Sequence, residues 1–104
     1  LVDHTDEINT IKIWVSVIGR INESTKIKLR LVGRLIDKGF VVLYNLSDRA
    51  FKKEIVEASE KKCNYIVMIG QTELDNDSLS IKNMMTHGQI TVQNDKFDQY
   101  FDQL

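Results

Sequence analysis

The sequence contains no proline, so its turns must be made by Gly, Asn, Asp and Ser. Cysteine is almost as scarce. Cys63 stands alone and cannot close an internal disulfide, and with His4 and His87 as the two histidines no zinc-type cluster forms. A reducing, cytoplasmic compartment is the expectation. No apolar run reaches the length needed to cross a bilayer and no signal-peptide pattern opens the chain, so no membrane partner is expected. An excess of one charge sign is missing as well: the formal net charge is −1. A protein that held nucleic acid by bulk electrostatics would be basic, so any nucleic-acid site here must be local.

Catalytic signatures are also missing. There is no glycine-rich loop closed by Lys-Ser/Thr, and Gly19 stands alone where a dinucleotide fingerprint would need three glycines. No motif places either histidine beside a Ser or Cys nucleophile, and the acidic residues form no spaced metal loop. The expected catalytic set is empty, the expected metal set is empty, and the chain is not expected to be an enzyme by itself.

What is present fits one globular domain. The 104 residues are 42 % hydrophobic and 28 % charged, enough for a real core without a second lobe. Residues 1–10 read as a linker or a fragment boundary, and residues 11–104 as the domain. Ile11–Ile18 (IKIWVSVI) is β-branched and predicts a strand. A helix follows over Ser24–Lys38, capped near Asn22–Ser24 and stopped at Gly39. Its apolar residues Ile27, Leu29, Leu31, Val32, Leu35 and Ile36 cover about half the helix wheel, which calls for deep burial or a neighbouring domain. Phe40–Tyr44 predicts a second strand, Arg49–Lys62 a second helix and Tyr65–Ile69 a third strand. Gly70–Glu73 opens a polar loop. Leu79–Met84 and Gln89–Val92 alternate like a half-exposed antiparallel pair, turning at His87 and Gly88. Asp95 caps a short last helix bearing Phe97, Tyr100, Phe101 and Leu104.

This order predicts a three-layer α/β fold: a mixed five-stranded sheet, its first three strands parallel, with helices on both faces. The first strand is expected in the middle, between the second and third.

The second helix carries the clearest chemistry. Phe51, Ile55 and Ala58 share one side, while Arg49, Lys52 and Lys53 fall within about 100° on the other. Three cations near a helix N-terminus suit phosphate; the plainer reading is a solvated charged face. Gln71 and Glu73, after the third strand, sit where open α/β sheets bind ligands, and both can bond a base edge. Lys82 and Asn83 are expected at that same sheet end. Trp14, Tyr44, Tyr65, Met68, Met84 and Met85 read as packing residues, and Cys63 as an inert, partly buried thiol.

Three segments together resemble the anticodon-binding domain of class II aminoacyl-tRNA synthetases, and among these the histidyl branch. They are LSDRAFKKEIVEA over Leu46–Ala58, NYIVMIGQTEL over Asn64–Leu74 and LSIKNMMTHGQ over Leu79–Gln89. The Lys-Asn-Met-x-Thr stretch favours the histidyl branch over the threonyl, prolyl and glycyl ones. The resemblance implies an anticodon grip that positions tRNA, expected to be histidine tRNA, for a catalytic domain elsewhere in the same chain. ATP and magnesium would belong to that domain alone, and the parent would be a homodimer. Carried over, Arg49, Lys52 and Lys53 would contact the anticodon arm, Gln71 and Glu73 would lie near the bases, and Lys82 beside them. The chain departs from the family pattern at Asp48, Glu54, Asn64 and the His87–Gly88 pair. The acidic departures weaken a positive patch. They motivate a second expectation, a degenerate regulatory domain of the stress-kinase type that senses tRNA or binds protein.

Overall fold

The computed structural model describes residues 11–19, 21–45 and 50–103. In chain order these form β1 (Lys12–Val17), α1 (Ser24–Asp37), β2 (Val41–Leu43), α2 (Phe51–Glu60), β3 (Tyr65–Ile69), α3 (Gln71–Asp75), β4 (Ser78–Asn83) and β5 (Gln89–Gln93). A 3-10 turn (Asn94–Lys96) then leads into α4 (Phe97–Asp102). Arg49, Leu104 and the leading ten residues lie outside the described set.

The five strands lie in the order β2-β1-β3-β4-β5. β1 runs parallel to β2 and β3, and β4 is antiparallel to both β3 and β5. The first strand does sit between the second and third, but β3 is the centre of the whole sheet. The cause is the short β3–β4 connection. α3 has five residues, too few for a crossover, so β4 must return antiparallel beside β3.

Strand alternation sends side chains to two cores. Ile13, Val15, Val67, Ile69, Leu79 and Ile81 meet Leu31, Val32 and Leu35 of α1 and Phe97 and Phe101 of α4. On the opposite face Trp14, Ile66 and Met68 meet Ala58 of α2 and Cys63, with Phe51, Ile55 and Met84 packed alongside. Phe101 anchors the first core through edge-on or tilted contacts with Phe40, Tyr65, Phe97 and Tyr100, at ring separations of 4.8–6.3 Å.

The helix ends follow local chemistry. α1 ends as the glycine predicts: Gly39 has φ 92°, its N–H donates to Ile36 O, and the Phe40 N–H donates to Leu35 O. α1 begins differently from expectation. Glu23 holds the cap position at φ 60° and makes no side-chain cap bond. Nor does Asp95 cap the last helix; the 3-10 turn starts it, tied to Asp77 by both the main chain and the side chain of Asn94.

The broad apolar arc of α1 is only partly buried. Leu29 is 43 % and Ile36 54 % exposed, whereas Lys28 is buried beside Leu31 and Leu35. Lys28 shares the sheet-facing side of the helix wheel with these leucines, and Leu29 and Ile36 point about 100° away or more. The Lys28 ammonium donates to the main-chain oxygen of Asn45, and Asn45 Nδ2 donates to Glu57 Oε1 at 3.0 Å. Asn45 thus ties α1 to α2 at the end of β2.

Candidate nucleic-acid interface

α2 starts at the carboxyl end of the parallel strands and ends at their amino end, where Lys12 Nζ of β1 donates to Lys61 O at 3.3 Å. Its buried side holds Phe51, Glu54, Ile55 and Ala58 against the sheet, and Lys52 and Lys53 stand exposed on the far side. Among the described residues no side chain caps its N-terminus, where Ala50 holds the cap position. Among the described residues neither lysine forms an ion pair. The cations of α1 differ: Arg34 and Lys38 face Asp98 at 3.5 and 3.7 Å, and Lys38 bonds Asp102 at 2.6 Å. The α2 side therefore keeps free positive charge beside a positive helix end, while much of that on the α1 side is neutralised.

Glu54 does not enter this patch. It is 2 % exposed, and its Oε1 accepts the indole N–H of Trp14 at 2.9 Å. The expectation that Glu54 weakens the basic face is thereby corrected: the carboxylate lies under the helix rather than on it.

Gln71 and Glu73 occupy α3, a helix where a polar loop was expected. Glu73 Oε1 accepts the Gly70 N–H at 2.6 Å, closing the first turn, and Glu73 Oε2 accepts from Ser80 Oγ at 3.1 Å. Both carboxylate oxygens already serve the fold. A Cβ at Gly70 would meet Glu73 Oε1 at 3.0 Å, a tight contact with the end of a flexible side chain. Gln71 is exposed and donates to Asp75 Oδ1 at 2.9 Å within its own helix.

Lys82 lies at the other end of the sheet from Gln71 and Glu73. It registers with Ile66, three residues before Ile69, or about 10 Å along the strand. The expectation of one shared end fails because β4 runs antiparallel. Its first residue, not its last, adjoins α3.

A polar strip joins these points. On the α2 face of the sheet, Ser78 pairs with Gln93, Ser80 with Thr91 and Lys82 with Gln89. Gln89, Thr91 and Gln93 of β5 are exposed and Lys82 is half-buried, whereas Ser78 and Ser80 of β4 are buried, so α2 covers the β1–β3 half of this face and the open polar surface is β5 with Lys82. The strip offers amide and hydroxyl groups beside Lys82 and in the lee of the free lysines of α2. Gln89, Thr91 and Gln93 had their signal in the alternation of Gln89–Val92. What periodicity could not say is which face the polar residues share with Lys52 and Lys53. Trp14, with Tyr44 and Tyr65 packed partly into the core, offers no free stacking platform.

Among the described residues no three His, Cys, Asp or Glu side chains converge on a metal position, and no helix is long and apolar enough to cross a membrane.

Comparison with known proteins gives a consistent result. Residues 12–104 match the family described as "Anticodon binding domain". A histidine–tRNA ligase of Phytoplasma australiense is 36 % identical over 75 residues, covering 72 % of this chain and 18 % of that protein. One from Thermosipho melanesiensis is 28 % identical over 91 residues, covering 86 % and 21 %. The chain thus spans about a fifth of the length of these relatives. Apo histidyl-tRNA synthetase of S. aureus superposes with a TM-score of 0.75 at 22 % identity, over 88 % of this chain and 26 % of that one, which establishes the shared fold.

Proposed function

Because the chain belongs to the anticodon-binding domain family, we propose that it grips the anticodon arm of a tRNA on its α2 face, as one module of a histidine–tRNA ligase. The observation that carries this reading is the pairing of free charge with open polar surface on one side of the molecule. Among the described residues Lys52 and Lys53 stand unpaired at the start of α2, and beside that helix the β4–β5 half of the sheet exposes Gln89, Thr91 and Gln93. The lysines supply sequence-independent phosphate attraction, and the strip supplies donors and acceptors to unstacked bases. Arg49, next to Ala50 in the chain, would add to the first group, Gln71 and Lys82 to the second. Glu73 acts through position, holding α3 and β4 together at one end of the strip.

The module has no chemistry of its own in this reading. It positions histidine tRNA for a catalytic domain in the same chain, which would bring ATP and magnesium, within a homodimeric parent in the cytoplasm. Leu29 and Ile36, exposed on α1 across the sheet, leave a second face free for protein contact while RNA occupies the first. The regulatory alternative rested on acidic departures and on the near-neutral net charge. With Glu54 buried against Trp14, one of these no longer bears on the patch.

The test is a titration of the chain against histidine tRNA and an anticodon-swapped tRNA at two salt concentrations. Preference for the native anticodon at both, with affinity falling as salt rises, supports base readout over phosphate contact. Equal affinity for both tRNAs removes the anticodon reading.

A further inference from the structure

The amino end of the sheet carries a second group of side chains that the RNA surface does not use. Cys63, Met84, Met85 and His87 line one cleft, together with Ser59, Lys62 and Asn64. Two pinned backbone segments hold them. The Met84 N–H donates to Asn64 O at 2.9 Å, which sets the β4–β5 loop directly against the Cys63–Asn64 junction. Asn83 fixes the loop itself: its Oδ1 accepts the N–H groups of Met85 and Thr86 at 2.8 and 3.1 Å, and its main-chain O accepts that of His87 at 2.7 Å. Met85 is 78 % exposed, with no packing role to match. His87 holds φ 64°, a conformation that disfavours any side chain, at the loop position where the resembled family has glycine.

One thiol, two thioethers and one imidazole are soft or borderline donors. Thiolate and thioether select copper(I)-type ions, whereas the hard carboxylates suited to calcium or magnesium are absent from this cleft. Charge bears on the valence, since the nearby ammonium groups repel any cation and a divalent one more strongly. Lys62 lines the cleft, and Lys12 and Lys61 act on Cys63 through space, so a monovalent ion meets less repulsion than a divalent one. We propose that Cys63, Met84, Met85 and His87 form a binding site for a soft monovalent metal ion of the copper(I) or silver(I) class. Binding replaces the Cys63 thiol proton, which leaves to water, and the metal keeps its oxidation state.

The probe is silver(I), which needs no reductant, titrated into the 104-residue chain and followed by NMR of the methionine ε-methyl groups. At one equivalent the Met84 and Met85 methyls should shift, and that of Met68, which does not line the cleft, should hold its position. Zinc(II) at the same concentration should move neither. The surface variant Met85→Leu with His87→Gly, which leaves the core intact, should weaken silver binding at least about tenfold, since even outer-sphere partners of metal sites carry about that much. Unmoved Met84 and Met85 methyls, or full affinity in the double variant, would mean capture by the Cys63 thiol alone and would overturn the site.

Discussion

The indole N–H of Trp14 on β1 points at the buried carboxylate of Glu54 on α2, 2.9 Å away and 40 residues along the chain. This bond, with the packing of Phe51, Ile55 and Ala58, ties α2 to the sheet beneath the face that carries Lys52 and Lys53. Trp14→Phe leaves a buried carboxylate without its donor and should cost about 1–3 kcal/mol or more in urea unfolding. Glu54→Gln keeps an acceptor for the indole and should cost less than Trp14→Phe. It should leave tRNA affinity unchanged, because position 54 is not on the proposed RNA face. A gain in affinity on Glu54→Gln would show that the carboxylate reaches the patch after all.

Lys52 and Lys53 are assigned to phosphate. The double variant Lys52→Ala/Lys53→Ala should weaken binding of native and anticodon-swapped tRNA by the same factor. It should also lower the slope of log affinity against log salt by roughly 1.4 to 1.8, near 0.7–0.9 for each phosphate no longer neutralised. Gln89→Ala with Gln93→Ala should act differently, narrowing the difference between the two tRNAs with little change in slope. An unchanged salt slope in the lysine variant would remove these residues from the interface.

Much of the fold was legible in the sequence because its strands and its two longer helices are strongly patterned. IKIWVSVI and YIVMI read as strands buried on both faces and FVVLY as an apolar strand, which lies at the sheet edge with Val41 exposed, and Gly39 stopped α1 where it had to. The failures share a physical cause, which is contact between residues distant in sequence or chemistry without a periodic signature. α3 has no apolar stripe, and its first turn is closed by one Glu73–Gly70 bond. Glu54 sits among lysines and reads as surface, because nothing local announces its bond to Trp14. Lys82 lay at the wrong end for want of one fact, the direction of β4, which depends on the shortness of α3. Residues 46–49, Arg49 among them, fall outside the described residues.

Lys62 tests the αL cost directly. It holds φ 60° just past α2, with the Lys62 N–H on Ser59 O and the Cys63 N–H on Ala58 O. This is the bonding pattern that glycine completes at the end of α1, made here with a side chain at the left-handed position. Lys62→Gly should therefore stabilise the domain by about 0.5–1 kcal/mol, net of the added freedom of the unfolded chain. The same change at Lys61, which has φ −87°, should be neutral or destabilising. Equal effects at the two positions would show that charge, not backbone conformation, decides the result.

Alkaline pH should loosen the domain through three separate groups. Burial pushes the Cys63 thiol up against the opposing pull of Lys12 and Lys61, and burial with the neighbouring Tyr65 raises Tyr100. The Asp102 hydrogen bond, with attraction from Asp102 and Asp98, raises Lys38. Each group holds its proton more tightly folded than unfolded, so the unfolded chain releases protons first as pH rises. The stabilising effect is complete below the range where free thiols, phenols and amines titrate, and is lost as pH climbs through the raised values, from about 9 upward. Urea midpoints should therefore be level, as far as these groups act, between about pH 7.5 and 8.5 and fall by about pH 10.5. Tyr100→Phe should make that fall shallower by removing the phenol, and Asp102→Asn should do the same by taking away the main partner of Lys38. These groups sit in three places, the Cys63 junction, α4 and the end of α1, so the two substitutions touch different ones. A fall of unchanged steepness in both variants would assign the alkaline loss to other groups in the chain.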